Sequence, residues 1–454
     1  MRLTVVGAGY VGLNCAVSMA YVGHTVHVIE KDKTKYDMLC NWNIPIHEAG
    51  LQEVFNLSSV KAKMSFSQDV GDWVATADVI IIAVGTPPSP NGQADTTYVE
   101  AAAGEIAEKL KSGKNYTIVI KSTVPIGTNR RVKAIIEREL ASREVDSKVY
   151  VCSNPESLRE GRALFDMLYP DRIVIGAYNE EAIESLHTLY RPMLEQSFEP
   201  PAVVDRPQNF ELPRFIVTTP ASAEMIKYAA NSFLALKISF INEVAELCEK
   251  IGADVTEVAR GIGLDSRIGS RFLSAGLGWG GSCFPKDTSA LIAIGKENGC
   301  EMHITKSSKE VNRKQRVRVV DKLQHTLKGV RGRTIAILGA AFKPGTDDVR
   351  EAPVIDVIRT LIERGAEVRL HDPVALENAK IVLADFEVNY YDDPYEMVKG
   401  ADAILLVTEW PYYRTLDMGK IAKSMREKVL FDTRNLFTPA DVEEAGLRYL
   451  GIGR

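Results

Sequence analysis

The sequence predicts an α/β protein in which two Rossmann-like parallel-sheet domains are joined by a central helical domain with a long spine helix. Three observations carry that prediction. The first third alternates short β-branched runs with stretches of helical spacing, the pattern of βαβ units. From Ala221 to Lys250 the pattern is helical throughout, without proline or glycine. The last third then repeats the layout of the first. The 454 residues divide accordingly into 1–200, 201–325 and 326–454, in keeping with domains of about 100–200 residues.

In the first domain, strands are expected at Leu3–Val6, Thr25–Glu30, Asp78–Val84, Tyr116–Ile120, Lys148–Cys152 and Arg172–Ile175, forming a parallel sheet. Polar clusters fall where strands end: Gly7–Gly12, Gly85-Thr86-Pro87, Lys121-Ser122-Thr123 and Asn154-Pro155-Glu156. Ligands of open parallel sheets bind outside the carboxyl ends of the strands, so the clusters mark one site.

The central helix would span roughly 45 Å at about 1.5 Å per residue, more than a small domain needs. Phe233, Leu236, Phe240, Val244 and Leu247 recur at three- and four-residue spacing. Two readings of this buried stripe stand: a core helix, or a spine whose apolar face pairs two chains. In the third domain, strands are expected at Thr334–Leu338, Glu367–His371, Ala403–Val407 and Val429–Asp432, with a helix over Pro353–Arg364. Its altered glycine loop, Gly339–Gly345, is followed by Arg350 and contains Lys343, which suits a different anion from the first.

Composition excludes several classes. A net charge of −5 leaves no electrostatic footprint for nucleic acid, and the basic run Arg313–Arg318 reads as an exposed helix face. Six cysteines stand far apart without a CxxC pair, which argues against structural zinc and against a disulfide framework, and no metal is expected. The first strand begins almost at Met1, leaving no room for a leader, and no apolar run approaches the roughly 18 residues that span a bilayer. The reducing cytoplasm is the expected compartment.

The chemistry-bearing residues follow. Gly7, Gly9 and Gly12 lie directly after a strand and open a helix, where they give a tight turn, close approach to a pyrophosphate and helix–sheet packing. Glu30, at the end of the second strand, can accept from ribose hydroxyls and would repel a 2′-phosphate, so NAD is favoured over NADP. Cys283, in Gly280-Gly281-Ser282-Cys283-Phe284-Pro285-Lys286-Asp287, can be a buried small hydrophobe or a thiolate nucleophile activated by a nearby ammonium. Lys227 and Asn231, four apart on the long helix, can snorkel to solvent or donate to an oxyanion. Glu156 and Glu160 can be helix-start carboxylates or a general base and its neighbour.

Together these spaced motifs resemble the UDP-glucose/GDP-mannose dehydrogenase family over nearly the whole chain. The matching segments are Val6–Gly12, Val84–Pro87, Lys121–Pro125, Asn154–Gly161, Pro170–Arg172, Glu224–Asn231, Arg267–Gly269, Gly278–Asp287, Phe342–Arg350 and Phe431–Arg434. The resemblance implies four-electron oxidation of a nucleotide sugar's primary alcohol to a carboxylate with two NAD+. Carried over residue by residue, Cys283 forms a thiohemiacetal and then a thioester. Asp287 and a water near Thr123 handle protons, Lys227 and Asn231 bind the reacting oxygen, and Glu156 assists hydrolysis. Cofactor contacts implied are Gly7, Gly9, Tyr10, Val11, Gly12, Glu30, Lys35, Thr86, Thr123, Glu160, Lys286 and Arg350. Substrate contacts implied are Glu156, Leu158, Lys227, Asn231, Arg267, Phe272, Leu273, Gly280, Phe342, Lys343 and Arg434.

UDP-glucose is the favoured substrate, with GDP-mannose and UDP-N-acetylhexosamines as relatives' alternatives, and a homodimer through the central helix is expected. A two-electron hydroxyacid or sugar-phosphate dehydrogenase and a silent nucleotide sensor remain as rivals. The chain departs from the family at Glu30, where aspartate is commoner. Trp42 and Ala49 stand for a glycine and a proline, and Ser157 and Trp279 for usual aromatics.

Overall fold

Residues 1–454 are described by a computed structural model. It divides into two units, Met1–Ala229 and Ala230–Arg454, and the division falls inside one continuous helix, Pro220–Ile251.

The first unit is built on eight strands: β1 (Arg2–Val6), β2 (Thr25–Ile29), β3 (Met64–Ser67), β4 (Val79–Ile82), β5 (Tyr116–Ile120), β6 (Val149–Ser153), β7 (Arg172–Gly176) and β8 (Arg214–Thr218). Their order is β3-β2-β1-β4-β5-β6-β7-β8. Alternate residues serve opposite faces, as the pleat demands. Val5, Val28, Val79, Ile81 and Val119 enter one apolar cluster, whereas Val6, Ile29, Ile80, Ile82, Ile118 and Ile120 enter another. Burial on both faces explains why these strands read as unbroken β-branched runs. The order reverses between β1 and β4, the switch point at which such sheets bind ligands.

The sheet is not parallel throughout, as the sequence suggested. β6 and β7 pair antiparallel through Ser153 and Gly176, so β7 and β8 run against the rest. The connecting segment holds only the six-residue helix Ala163–Leu168, and the chain turns back at the sheet end instead of crossing over. Short β3 and β8 were not anticipated.

Glu224, in the first turns of the long helix, fixes that helix to the sheet. Its carboxylate accepts from the backbone N–H groups of Gly127 (2.8 Å) and Asn129 (3.0 Å) at the start of the helix Thr128–Ser142, and from Ser153 Oγ (3.4 Å).

The second unit carries β9 (Thr334–Leu338), β10 (Glu367–His371), β11 (Val388–Tyr390), β12 (Ala403–Leu406), β13 (Val429–Asp432) and β14 (Arg448–Leu450). All are parallel, in the order β11-β10-β9-β12-β13-β14. Helices Val255–Gly263, Phe284–Glu297 and His303–Thr326 precede that sheet.

The apolar stripe is not the face that the helix buries within its own chain, although Leu236 and Val244 are half-buried. Phe233, Phe240 and Leu247 are 61%, 50% and 55% exposed, while Ala235, Ser239, Ile241, Asn242, Ala245 and Cys248 form the buried face. Spacing gives the apolar faces of a helix but not which one packs within its own chain. The basic run is likewise only partly exposed: Gln315 is buried, and Arg316 and Arg318 pair with Asp356 and Glu249. No helix is long and apolar enough to cross a membrane.

Glu224→Ala would leave the buried Asn129 N–H and the half-buried Gly127 N–H without an acceptor. A loss of about 1–3 kcal/mol in urea denaturation is expected, and unchanged stability would contradict the assigned staple.

Candidate active site

In the first unit, Gly9 caps the helix Tyr10–Tyr21 without a side-chain hydrogen bond, and a Cβ built at Gly9 meets nothing within 4 Å. Open space thus lies before the start of this helix, where its N–H groups favour an anion such as a pyrophosphate. The flanking glycines are forced. Gly7 has φ +101°, and a Cβ at Gly12 would lie 1.9 Å from the Gly7 carbonyl oxygen. Glu30 accepts from the Ala8 N–H at 2.8 Å and the Asp32 N–H at 2.9 Å, which fixes the carboxylate against the loop with lone pairs to spare for a ribose. The residues present fit a dinucleotide. Lys35 lies half-buried in the helix Lys33–Cys40 beyond β2.

Thr86 and Thr123 come together at the ends of β4 and β5, where Thr86 Oγ1 donates to the Thr123 carbonyl at 2.8 Å. A cavity of about 10 Å³ beside them is lined by Ser122, Thr123, Ser153, Pro155, Glu224 and Lys227.

Lys227 and Glu156 form an ion pair of 2.6 Å with side chains only 7% and 6% exposed. The second Glu156 oxygen accepts from the Leu158 N–H at 2.6 Å. Burial pushes the Glu156 carboxyl up, but Lys227, the Leu158 N–H and Lys121 outweigh it and hold it below the ordinary range. Glu160 lies half-buried further along the same loop.

The loop is tied down from afar. Glu48 is 4% exposed and accepts from the N–H groups of Gly161 and Ala163, each at 2.8 Å. The segment that delivers Glu48 turns at Trp42, which adopts φ +58° in place of the family's glycine. Such a conformation is costly for a bulky residue. Contacts with Phe55 and Phe66, at ring centroids 5.0 and 5.4 Å away, hold it.

In the second unit, Cys283 is the N-cap of the helix Phe284–Glu297 and lies 3.6 Å from Ser282 Oγ. The N-terminal end of a helix favours negative charge, which suits a thiolate. Asp287 sits in the first turn, fully buried; it accepts from Asn231 Nδ2 at 2.6 Å and pairs with Lys286 at 2.5 Å. Lys286, expected at the cofactor, is therefore engaged with its own neighbour. The turn before the thiol is locked by close packing. A Cβ at Gly280 would lie 2.2 Å from the Glu351 carbonyl oxygen, and one at Gly281 2.7 Å from the Phe342 ring.

Arg434 follows β13 and donates to the Val407 carbonyl at 2.6 Å, while its Nη2 is buried without a partner, an open donor. Lys343 stands over the Phe342 ring at 5.2 Å. Leu273 is buried in the unit's core, and the half-buried Phe272 takes φ +65° beside it. Arg267 and Arg350 are 87% and 60% exposed and pair with Asp265 and Asp348.

The second glycine loop departs from expectation. Asp372 accepts from the N–H groups of Ala340 (2.7 Å) and Ala341 (3.1 Å) and from Trp410 Nε1 (3.0 Å), so the chain's own carboxylate fills the place of a bound anion. Lys121 and Asn154 were read only as members of strand-end clusters, and Tyr190, Glu48, Glu224 and Asp372 were missed as site-shaping residues. The signal for Lys121 was its place directly after five apolar or β-branched strand residues.

Known proteins share this architecture. Residues 1–194, 221–314 and 336–439 match the NAD binding, central and UDP binding domains of the UDP-glucose/GDP-mannose dehydrogenase family. The chain is 43% identical over 453 residues to UDP-glucose 6-dehydrogenase TuaD of Bacillus subtilis, covering 100% of this chain and 93% of that protein. It is 42% identical over 461 residues to a UDP-glucose 6-dehydrogenase of Pseudomonas aeruginosa, covering 100% and 98%. The structure of a UDP-glucose dehydrogenase from Pyrobaculum islandicum superposes with TM-score 0.87 at 41% identity, covering 100% of this chain and 97% of that one. A UDP-D-ManNAc dehydrogenase from Pyrococcus horikoshii gives 0.83 at 28%, covering 100% and 99%.

Because the Glu156 carboxyl is held low, its ionised form stabilises the fold. That contribution is fully present above the unfolded value, about 4.3, and is lost as pH falls through the depressed folded value. The wild-type chain should exceed Glu156→Gln in denaturation stability at pH 7, with the gap closing toward pH 3. A gap independent of pH would contradict the pairing.

Proposed function

The chain belongs to the UDP-glucose/GDP-mannose dehydrogenase family, and from that membership we propose that it oxidises UDP-glucose to UDP-glucuronate through a thioester on Cys283. It is an NAD-dependent oxidoreductase. The observation that carries the covalent reading is the thiol itself, set at the start of a helix whose first turn holds a buried, doubly bonded Asp287. A two-electron dehydrogenase needs no such thiol.

When bound, NAD+ supplies the two-electron acceptor for each of two oxidations. Gly7, Gly9, Tyr10, Val11, Gly12, Glu30, Lys35, Thr86, Thr123, Glu160, Lys286 and Arg350 would hold it. Asp287 and a water at Thr123 take the proton of the primary alcohol as the aldehyde forms. Cys283 sulfur then bonds to the aldehyde carbon, and the carbonyl electron pair moves onto oxygen, where Lys227 and Asn231 donate. The thiohemiacetal keeps the aldehyde in place for the second oxidation, which leaves a thioester. Water oriented by Glu156 attacks, the C–S bond breaks, and the thiol and a carboxylate are released. Substrate contacts are assigned to Leu158, Arg267, Phe272, Leu273, Gly280, Phe342, Lys343 and Arg434. Four of these, with the open Nη2 of Arg434 among them, fall in or beside the UDP binding stretch or the tightly packed turn at Gly280.

The division 1–200, 201–325 and 326–454 is kept, and the three family spans support it. A homodimer through the central helix is supported by the exposed Phe233, Phe240 and Leu247, which recur at seven-residue spacing on one face. Six free thiols, with Cys40 and Cys300 exposed, support residence in the reducing cytoplasm.

Purified protein should form two NADH per UDP-glucose consumed, and Cys283→Ala should make no uronate while binding NAD nearly as before. One NADH per substrate, or uronate from the variant, would overturn the thioester route. Phe240→Asp should convert a dimer to a monomer in light scattering; an unchanged mass would remove the helix from the interface.

A further inference from the structure

Lys121, at the end of β5, is 4% exposed. Its ammonium donates to Asn154 Oδ1 at 3.0 Å and to the Tyr190 hydroxyl at 3.3 Å, and that hydroxyl donates to the same Asn154 oxygen at 2.5 Å. Asn154 in turn donates to the Val174 carbonyl at 2.9 Å. Neither direct partner of the ammonium is charged. A buried cation costs several kcal/mol unless opposite charge offsets it. The titratable groups whose charge acts on it are Tyr190 from the helix Glu180–Glu195, Cys15 from the helix Tyr10–Tyr21, and Glu156, two residues beyond its partner Asn154 in the loop after β6. Burial pushes both the Tyr190 hydroxyl and the Cys15 thiol upward, so both are neutral near pH 7 and Glu156 supplies the charge.

Lys227 has two claims on it. It pairs with Glu156 at 2.6 Å, and in the reading above it also serves the oxyanion. An oxyanion drawing on Lys227 weakens its hold on Glu156, and a buried carboxylate left alone takes up a proton. Glu156 would then be protonated before it is needed for hydrolysis. Two ammoniums and one carboxylate leave one positive charge in this cluster, the charge that one oxyanion on the substrate would balance.

We propose that Lys121 is the standing counter-charge of Glu156, a positioning residue that holds the Asn154–Glu156 turn and keeps Glu156 ionised while Lys227 serves the substrate. The proposal rests on the assignment of Glu156 to thioester hydrolysis.

Two measurements test it. In the holoenzyme with NAD+ and UDP-glucose, Lys121→Met should move the acid limb of the kcat–pH profile up by about one unit, lowering kcat about tenfold on that limb. KM for UDP-glucose should change by less than about threefold. Lys121→Arg, which keeps the charge, should restore the limb, and Lys121→Met added to Glu156→Gln should shift it no further. An unmoved limb in Lys121→Met, or equal shifts in Met and Arg, would overturn the proposal.

The second measurement needs no Lys121 variant to fold. In Lys227→Met chains with 13C-carboxyl glutamate, the resonance absent from Lys227→Met/Glu156→Gln should remain that of a carboxylate at pH 7. A protonated Glu156 there would show that Lys121 does not suffice. This titration reads the charge whether or not Cys283 is acylated, so failure of the thioester route and failure of the Lys121 assignment give different results.

Discussion

An ammonium and a carboxylate 2.6 Å apart and almost sealed from water set the terms for the first unit. Such a pair offsets its desolvation only when its geometry is held and its remaining donors and acceptors are filled. The surrounding residues do that. Glu224 fixes the start of the helix that delivers Lys227, and the Leu158 N–H takes the free Glu156 oxygen. Glu48 ties the far end of the Glu156 loop. These contacts bind segments that are remote in sequence to the C-terminal ends of β5 and β6, where a small displacement would cost the chemistry most.

The second unit applies a different constraint to its thiol. Gly280 and Gly281 leave no room for a Cβ against Glu351 and Phe342, so the turn before Cys283 is fixed by backbone packing. Asn231 and Lys286 bind the two oxygens of Asp287 and hold the first helical turn behind the sulfur. The two glycine loops show how one architecture takes two ligand types. At Gly9 the helix-start N–H groups face open space, whereas Asp372 occupies those of Ala340 and Ala341. The second sheet keeps the strand order of a dinucleotide fold, and beside it the buried Arg434 Nη2 is left as an open donor.

Much of this was legible because it is local. Gly7, Gly9, Gly12 and Glu30 read directly from a strand, a turn and a helix start, and the Cys283–Asp287 spacing places thiol and carboxylate one turn apart. What was not legible depends on distance in sequence. Lys121 meets Asn154 and Tyr190 across 33 and 69 residues, and Glu48 meets Gly161 across 113. No periodicity announces such pairs. The spine helix was legible as an element, but it carries two faces able to bury apolar area, and spacing cannot rank them. The antiparallel β6–β7 pairing followed from a connection holding only a six-residue helix, which strand propensity does not register.

The proposed reaction depends most on Cys283 becoming acylated by its substrate during turnover. Rapid acid quenching of the working protein with NAD+ and UDP-glucose, followed by mass spectrometry of the peptide containing Cys283, tests this directly. A thioester-sized mass increase on that cysteine, enriched in Glu156→Gln, is predicted. Full conversion to UDP-glucuronate with Cys283 unmodified at every quench time, in both proteins, would contradict it.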